Sequence, residues 1–97
     1  MLRWFDATEA DRFAKELALF VMQELSGVAS QKDAKYRARL EKTLSRAAGK
    51  VHEFKAAHPL NVYKKSRLAN TFLWSLKDRG CADAVASELT DWLTLRL

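Results

Sequence analysis

The sequence is poor in residues that cross-link or break a chain: its 97 positions hold one cysteine, one proline and three glycines. A single cysteine cannot form an internal disulfide, which excludes the disulfide-rich secreted class and indicates a reducing compartment. So little proline and glycine, beside 48% apolar and 30% charged residues, excludes collagen-like, low-complexity and disordered chains. We therefore expect one domain over residues 1–97, large enough to bury a core without disulfide or metal support.

Long apolar runs are also missing. The longest, Leu17 to Met22, is followed by Gln23 and Glu24 and is far shorter than the roughly 18 residues that span a bilayer. The first residues lack the cationic region and apolar stretch that mark a secretory signal. The sequence therefore predicts a cytoplasmic protein that does not insert into membranes.

Apolar residues recur at three- and four-residue intervals along most of the chain, and no long stretch shows the period of two that is typical of strands. This pattern predicts four helices, at residues 8–25, 31–57, 62–79 and 82–95. Short connections favour antiparallel neighbours. We therefore expect an all-α, compact up-and-down bundle of four helices with a long second helix.

Local signals place the ends of these helices. Asp6 followed by Glu9 offers a capping pair before the first helix, and Asn61 is the expected N-cap of the third. Pro59 ends the second helix because proline disfavours helical geometry in the residue before it. Gly80 ends the third, since glycine tolerates the left-handed turn that follows a helix.

Each predicted helix has an apolar face. The first carries Leu19 and Met22 beside its main face, which predicts packing against two neighbours. The second has the four- and three-residue spacing of a heptad seam. The predicted inward residues are Phe13, Leu17, Phe20 and Val21 in the first helix, Leu40, Leu44, Ala47, Val51, Phe54 and His58 in the second, Leu68, Ala69, Phe72 and Leu76 in the third, and Val85, Ala86, Leu89, Trp92 and Leu93 in the fourth.

Positive charge is concentrated in the middle of the chain. Residues 30–58 carry eight cations against three acids, and residues 59–80 carry five against one, whereas the two ends are net negative. On the second helix the cations recur at three- and four-residue spacing and so share one side. Together with two cations at the start of the third helix they form a candidate polyanion-binding surface, here called the basic strip: Lys32, Lys35, Arg39, Lys42, Arg46, Lys50, Lys64 and Lys65.

The basic strip has three interpretations. It suits the backbone of a nucleic acid or the surface of an acidic protein. Alternatively, it is a solvated face, neutralised by the acidic outer helices, that keeps the protein soluble. The sequence has no helix-turn-helix, zinc-finger or RNA-binding-sheet pattern. Any nucleic-acid contact would therefore use the phosphate backbone and carry little sequence information.

The third helix offers a second candidate surface, away from its apolar face. Tyr63, Arg67, Asn70 and Trp74 follow one another at four-, three- and four-residue spacing. Tyrosine, arginine and tryptophan are enriched at the hot spots of protein interfaces, and they also stack on bases. The alternative is that the third helix lies between two layers and buries both of its faces, as the usual burial of tryptophan favours.

Groups for catalysis are scarce. His52 and His58 are six residues apart, which does not place them one turn apart on a helix as metal ligands. We interpret His58 as a core or capping residue and Cys81 as structural, since no histidine is near it in sequence. No phosphate-binding loop, nucleophile elbow or metal-binding motif occurs. We therefore expect no enzymatic activity, no metal and no cofactor.

These observations favour a non-enzymatic protein–protein interaction or assembly module that acts through surface contact. The partner is another protein or a second copy in a homo-oligomer, because four modest helices leave apolar residues such as Leu95 and Leu97 without an obvious place in the core. The alternative function is non-sequence-specific nucleic-acid binding through the basic strip.

Overall fold

The computed structural model describes residues 6–26 and 34–97. Within them it contains no strand, and none of its helices is both long and apolar enough to cross a bilayer. Lys32 and the expected first turn of the second helix lie outside the described residues. The prediction of an all-α bundle with a long second helix is confirmed by four helices: α1 (Thr8–Leu25), α2 (Ala34–Ala57), α3 (Val62–Asp78) and α4 (Asp83–Thr94).

The two central helices are α1 and α3, which pack against each other more extensively than any other pair of described helices. α2 packs on α1, and α4 packs on α3. Asp11, early in α1, hydrogen-bonds to Arg67 in the first half of α3, so α1 and α3 run in the same direction. Phe13 of α1 stacks on Phe54 near the end of α2, so these two helices are antiparallel. The short turn after α3 returns α4 along it.

The residues that α1 and α3 bury suit extensive packing between these two helices. α1 buries Ala10, Ala14 and Ala18, and α3 buries Leu68, Phe72 and Leu76. Both sets recur every four residues, which is the spacing of the ridges that interlock when helices pack. Small side chains on one helix leave room for the larger side chains of the other to fill the interior.

The two ends of α3 follow the capping prediction. Asn61 accepts a hydrogen bond from the backbone N–H of Lys64 at 2.8 Å. At the other end, Gly80 has a φ of +88°, and the N–H of Cys81 donates to the carbonyl of Leu76 at 3.0 Å. This arrangement is the Schellman motif, in which a left-handed glycine satisfies the last carbonyls of a helix.

The start of α1 differs in detail from the prediction. The Asp6 carboxylate accepts hydrogen bonds from the N–H of Thr8 at 3.1 Å and from its hydroxyl at 2.7 Å. Glu9 does not complete a reciprocal capping pair; it lies 3.7 Å from Arg12 in an exposed ion pair. Asp6 therefore closes the turn that precedes α1 without Glu9, because Glu9 has a cation one helical turn further along.

Every predicted inward residue is buried or half-buried. Leu19 lies at the exposed edge of α1, while Met22 packs partly against the core. α1 does contact two neighbours, α2 and α3, as its broad apolar face predicted. The core also contains Ala18 and Thr43, which the apolar pattern missed because one is small and the other is polar.

Candidate interaction surfaces

The outer face of α3, here called the α3 face, consists of Tyr63, Arg67, Asn70 and Trp74. Trp74 is 55% exposed, Arg67 and Asn70 are exposed, and Tyr63 is half-buried. α3 packs against α1 on one side and α4 on another, and neither helix covers Trp74. The alternative that α3 buries both of its faces is therefore wrong for the half of the helix that carries this tryptophan.

The Trp74 side chain also has a cation beside it. The Lys77 ammonium nitrogen lies 5.0 Å from the centroid of the indole ring, within the range of a cation–π contact. Lys77 comes three residues after Trp74, so the two share one side of the helix. The α3 face thus ends in a large apolar surface next to a positive charge.

Arg67 is directed toward α1. Its Nη2 donates to Oδ2 of Asp11 at 2.7 Å, and the Thr71 hydroxyl donates to Oδ1 of the same carboxylate at 2.9 Å. Partial burial opposes ionisation of Asp11, but these hydrogen bonds and the nearby positive charges outweigh it and hold the pKa of Asp11 below its ordinary value of 3.8. The hydrogen bond to Asp11 likewise raises the pKa of Arg67. Arg67 therefore connects α1 to α3 as well as bordering the α3 face.

An open groove of about 580 Å³ lies between the outer surfaces of α3 and α4, beside the α3 face. The Thr90 hydroxyl donates to the carbonyl of Ala86 at 2.8 Å, and the Thr94 hydroxyl donates to the carbonyl of Thr90 at 2.9 Å. Both hydroxyl groups thus donate to carbonyls of α4 itself, so neither needs a hydrogen-bond acceptor from outside the helix. Its walls include Tyr63, Asn70, Leu73, Thr90, Thr94 and Leu97.

The described part of the basic strip on α2 is exposed: Lys35, Arg39, Lys42, Arg46 and Lys50. The end of α1 engages two of these cations. The Glu24 side chain forms an ion pair with Arg46, and the Glu24 carbonyl accepts a weaker hydrogen bond from Arg39 at 3.4 Å. An acid of an outer helix thus neutralises part of the strip, as the solvated-face interpretation expected.

An aromatic side chain of α1 engages the same cations. The guanidinium carbon of Arg46 lies 5.1 Å from the ring centroid of Phe20, and the Lys50 ammonium lies 4.8 Å from it. Both distances are within cation–π range. The middle and end of the strip therefore serve partly to cover Phe20 in the α1–α2 contact.

Lys64 and Lys65 do not continue the strip directly. Both are half-buried at the start of α3, and α1 lies between α3 and α2 in the packing order. Lys64 lines a cavity together with Asp6 and Glu9 of the α1 region. The pKa of Asp6 is lowered, first by its hydrogen bonds from Thr8 and to a smaller extent by the charge of Lys64. Lys64 therefore has acidic surroundings of its own, whereas Lys65 lines the groove between α3 and α4.

The remaining reactive side chains have structural surroundings. His58 stacks on Phe54 with 4.8 Å between ring centroids, and Phe54 stacks on Phe13 at 4.3 Å. Burial, helped by the charge of Asp83, raises the pKa of the Cys81 thiol above its ordinary value, which disfavours the reactive thiolate. Across residues 6–26 and 34–97, no three histidine, cysteine or acidic side chains are grouped as metal ligands.

Two surfaces of the described chain are thus candidates for binding. The α3 face and its groove combine an exposed tryptophan with apolar walls, whereas the basic strip is long but partly engaged by Glu24 and Phe20. The periodicity of the sequence indicated both surfaces but not the groove, because its second wall comes from threonines that gave no apolar signal. Comparison with protein-family models, curated proteins and solved structures found no significant match to this chain.

Proposed function

We propose that this chain is a non-enzymatic protein–protein interaction module that binds its partner in the cytoplasm through the α3 face and the adjoining groove. The observation that carries this proposal is the 55% exposure of Trp74. Tryptophan is highly buried on average, and leaving so large a ring in water forgoes the free energy of burying it. An interface recovers that free energy, and tryptophan and tyrosine are enriched at interface hot spots.

The shape of the site supports a helical or extended segment of the partner as the bound element. Leu73 and Leu97 supply apolar wall on either side of the groove. Tyr63 and Trp74 supply aromatic surface along the α3 face, and the Asn70 amide between them supplies a polar group. Grooves of this kind bind an amphipathic helix by taking the side chains that it presents every three or four residues.

The test compares two double variants as baits in cell extract. Tyr63→Ala with Trp74→Ala should lose the captured partner, because both aromatic anchors are removed. Lys42→Glu with Arg46→Glu should retain it and mainly slow its association, since charges at the edge of an interface act on the encounter rate. If the Tyr63→Ala, Trp74→Ala variant still captured the same protein, the proposal would be contradicted, whatever that protein is.

One observation favours a second candidate, non-sequence-specific nucleic-acid binding. Five exposed cations follow one side of α2 from Lys35 to Lys50, a distance of about 22 Å along a helix, which suits a phosphate backbone. This candidate ranks second because Glu24 and Phe20 already engage Arg46. Titration with mixed-sequence DNA or RNA tests it: binding should weaken steeply with salt and vanish in Lys42→Glu with Arg46→Glu, while Trp74→Ala keeps a measurable part.

A further inference from the structure

A cleft lies between α1 and the second half of α2. It has two lobes, of about 570 Å³ and about 340 Å³, which share the side chains of Phe54, Ala57 and His58. The smaller lobe is also lined by Phe13, Glu16, Leu17, Phe20, Lys50 and Glu53. Both volumes are in the range of pockets that bind small molecules. The described residues that line the cleft are all different from those that line the groove between α3 and α4, so the cleft is a separate site that the proposed function does not use.

Aromatic rings form much of the wall of the smaller lobe. Phe13 of α1 stacks on Phe54 of α2 with 4.3 Å between ring centroids, and His58 stacks on Phe54 at 4.8 Å. All three rings are half-buried. Phe13 is at one end of this stack, so one face of its ring remains outside the stack.

The same lobe already has cations against an aromatic ring. The Lys50 ammonium lies 4.8 Å from the ring centroid of Phe20, and the Arg46 guanidinium carbon lies 5.1 Å from it. Both distances are within cation–π range. The other such contacts among the described residues involve tryptophan rings, so no described cation lies over Phe13. The chain thus uses one phenylalanine of this lobe as a cation platform and leaves the other without a cation.

Two carboxylates accompany the stack in the smaller lobe, one from each helix. Glu16 comes one turn after Phe13 on α1, and Glu53 directly precedes Phe54 on α2; both line the lobe and are exposed. Because α1 and α2 are antiparallel, both carboxylates lie between the level of the stack and that of Phe20. In the part of the chain that the structure describes, neither forms an ion pair. Two negative charges are therefore available beside a ring that can accept a cation.

The charges of the larger lobe are more nearly compensated. Asp6 accepts two hydrogen bonds from Thr8, Glu9 pairs with Arg12, and the Lys64 side chain lines the same lobe. In the smaller lobe, by contrast, the only described cation is Lys50, and its ammonium lies over Phe20. The smaller lobe is therefore the part of the cleft with unpaired negative charge.

We propose that the smaller lobe binds a small organic cation, with an ammonium or guanidinium group at the end of an apolar chain. The cationic group lies against Phe13, where Glu16 and Glu53 supply opposite charge. The apolar chain continues past Phe54 and His58 toward the larger lobe. A neutral molecule of the same length gains only the apolar contact, and the two carboxylates repel an anion.

Four six-carbon probes that differ in their end group test this chemistry: hexylammonium, hexylguanidinium, 1-hexanol and hexanoate. Titrations followed by amide chemical shifts measure each dissociation constant and show whether the shifts cluster in residues 13–20 and 50–58. Both cations should bind about tenfold more tightly than 1-hexanol, and hexanoate should bind most weakly. Equal affinities for hexylammonium and 1-hexanol, or shifts that cluster elsewhere, would overturn the proposal.

Variants identify the groups responsible. Glu16→Gln with Glu53→Gln should abolish the preference for the cations, while the matched control, Glu41→Gln with Glu88→Gln, removes two exposed acids outside the lobe and should retain it. Lys50→Gln should tighten binding of hexylammonium, because it removes a like charge from the lobe. Circular dichroism checks that each variant keeps its helices. A preference that persists without Glu16 and Glu53, or an affinity that falls in Lys50→Gln, would contradict the assignment.

A blocked Leu-Arg-Leu tripeptide distinguishes a small cation from a basic side chain of a partner protein. It should bind more weakly than hexylguanidinium, because its backbone does not fit a lobe of about 340 Å³. Tighter binding of the tripeptide would overturn the small-molecule assignment in favour of a docked basic protein. Each of these outcomes leaves capture of a protein through Trp74 unaffected, since that contact uses α3 and not this cleft.

Discussion

Nη2 of Arg67 in α3 donates a hydrogen bond to Oδ2 of Asp11 in α1 at 2.7 Å, although 56 residues separate them in the sequence. The Thr71 hydroxyl shares the same carboxylate. This contact connects the first halves of the two central helices. It also commits the one arginine of α3 to a contact within the chain, although Arg67 belongs to the α3 face that we propose as the binding surface.

The contribution of Asp11 to stability should depend on pH. Partial burial opposes its charged form, but the hydrogen bonds from Arg67 and Thr71 outweigh this and keep its folded-state pKa below 3.8. A lowered folded-state pKa gives stability that is present above the unfolded-state pKa and is lost as the pH falls through the folded-state value. Asp11→Asn should therefore lower the free energy of unfolding at pH 7, and this deficit should shrink as the pH falls below about 4.

Urea unfolding followed by circular dichroism at pH 7, 4 and 3 measures this deficit. Glu16→Gln is the matched control, because it neutralises an exposed acid of the same helix that makes no hydrogen bond to α3 among the described residues. The control should show little change at any pH. A deficit for Asp11→Asn that stays constant from pH 7 to pH 3 would show that the ionised carboxylate is not what stabilises the contact.

Two glycines should respond to alanine in opposite directions. Gly49 is an exposed position inside α2, and a Cβ added there meets no atom within 4 Å. Since alanine is the better helix former, Gly49→Ala should raise the free energy of unfolding by about 1 kcal/mol. Gly80 has a φ of +88°, where a side chain strains the backbone, so Gly80→Ala should lower it by about 1 kcal/mol. Thermal melts of the two variants should shift to opposite sides of the parent protein. A rise in both would contradict the assignment of Gly80, and a fall in both would contradict that of Gly49.

The buried hydroxyl of Thr43 should be dispensable. Thr43 is fully buried, and within the described part of the chain its Oγ1 has no hydrogen-bond partner. Burying an unpaired polar group costs about 1–3 kcal/mol, and valine has nearly the same shape. Thr43→Val should therefore raise the free energy of unfolding by about 1 kcal/mol, measured by urea unfolding. The comparison variant, Thr71→Val, removes a hydroxyl that donates to Asp11 and should lower the free energy of unfolding. Loss of stability in Thr43→Val would instead reveal a hydrogen-bond partner for the Thr43 hydroxyl.

Local chemistry determined the helices of this protein. α1 begins and ends where the apolar pattern predicted, and α2, α3 and α4 agree with prediction within a residue at each end that the structure describes. The helix ends could be predicted from Asn61, Pro59 and Gly80, because capping and helix-breaking residues act on backbone groups only a few residues away. Each inward residue could be predicted for a similar reason, since periodicity alone determines which side chains share a face.

Tertiary structure alone decided what each outward side chain meets. Periodicity placed Arg67 and Trp74 on one face, but the position of α1 directs Arg67 to Asp11, while none of the four described helices covers Trp74. Likewise, Phe20 and Glu24 engage Arg46 because α2 runs antiparallel along α1. The sequence by itself determined the helices, their ends and their faces, because those depend on local interactions. The groove, the ion pairs and the exposed surface depend on which helices become neighbours, and that is decided by packing of side chains far apart in the chain.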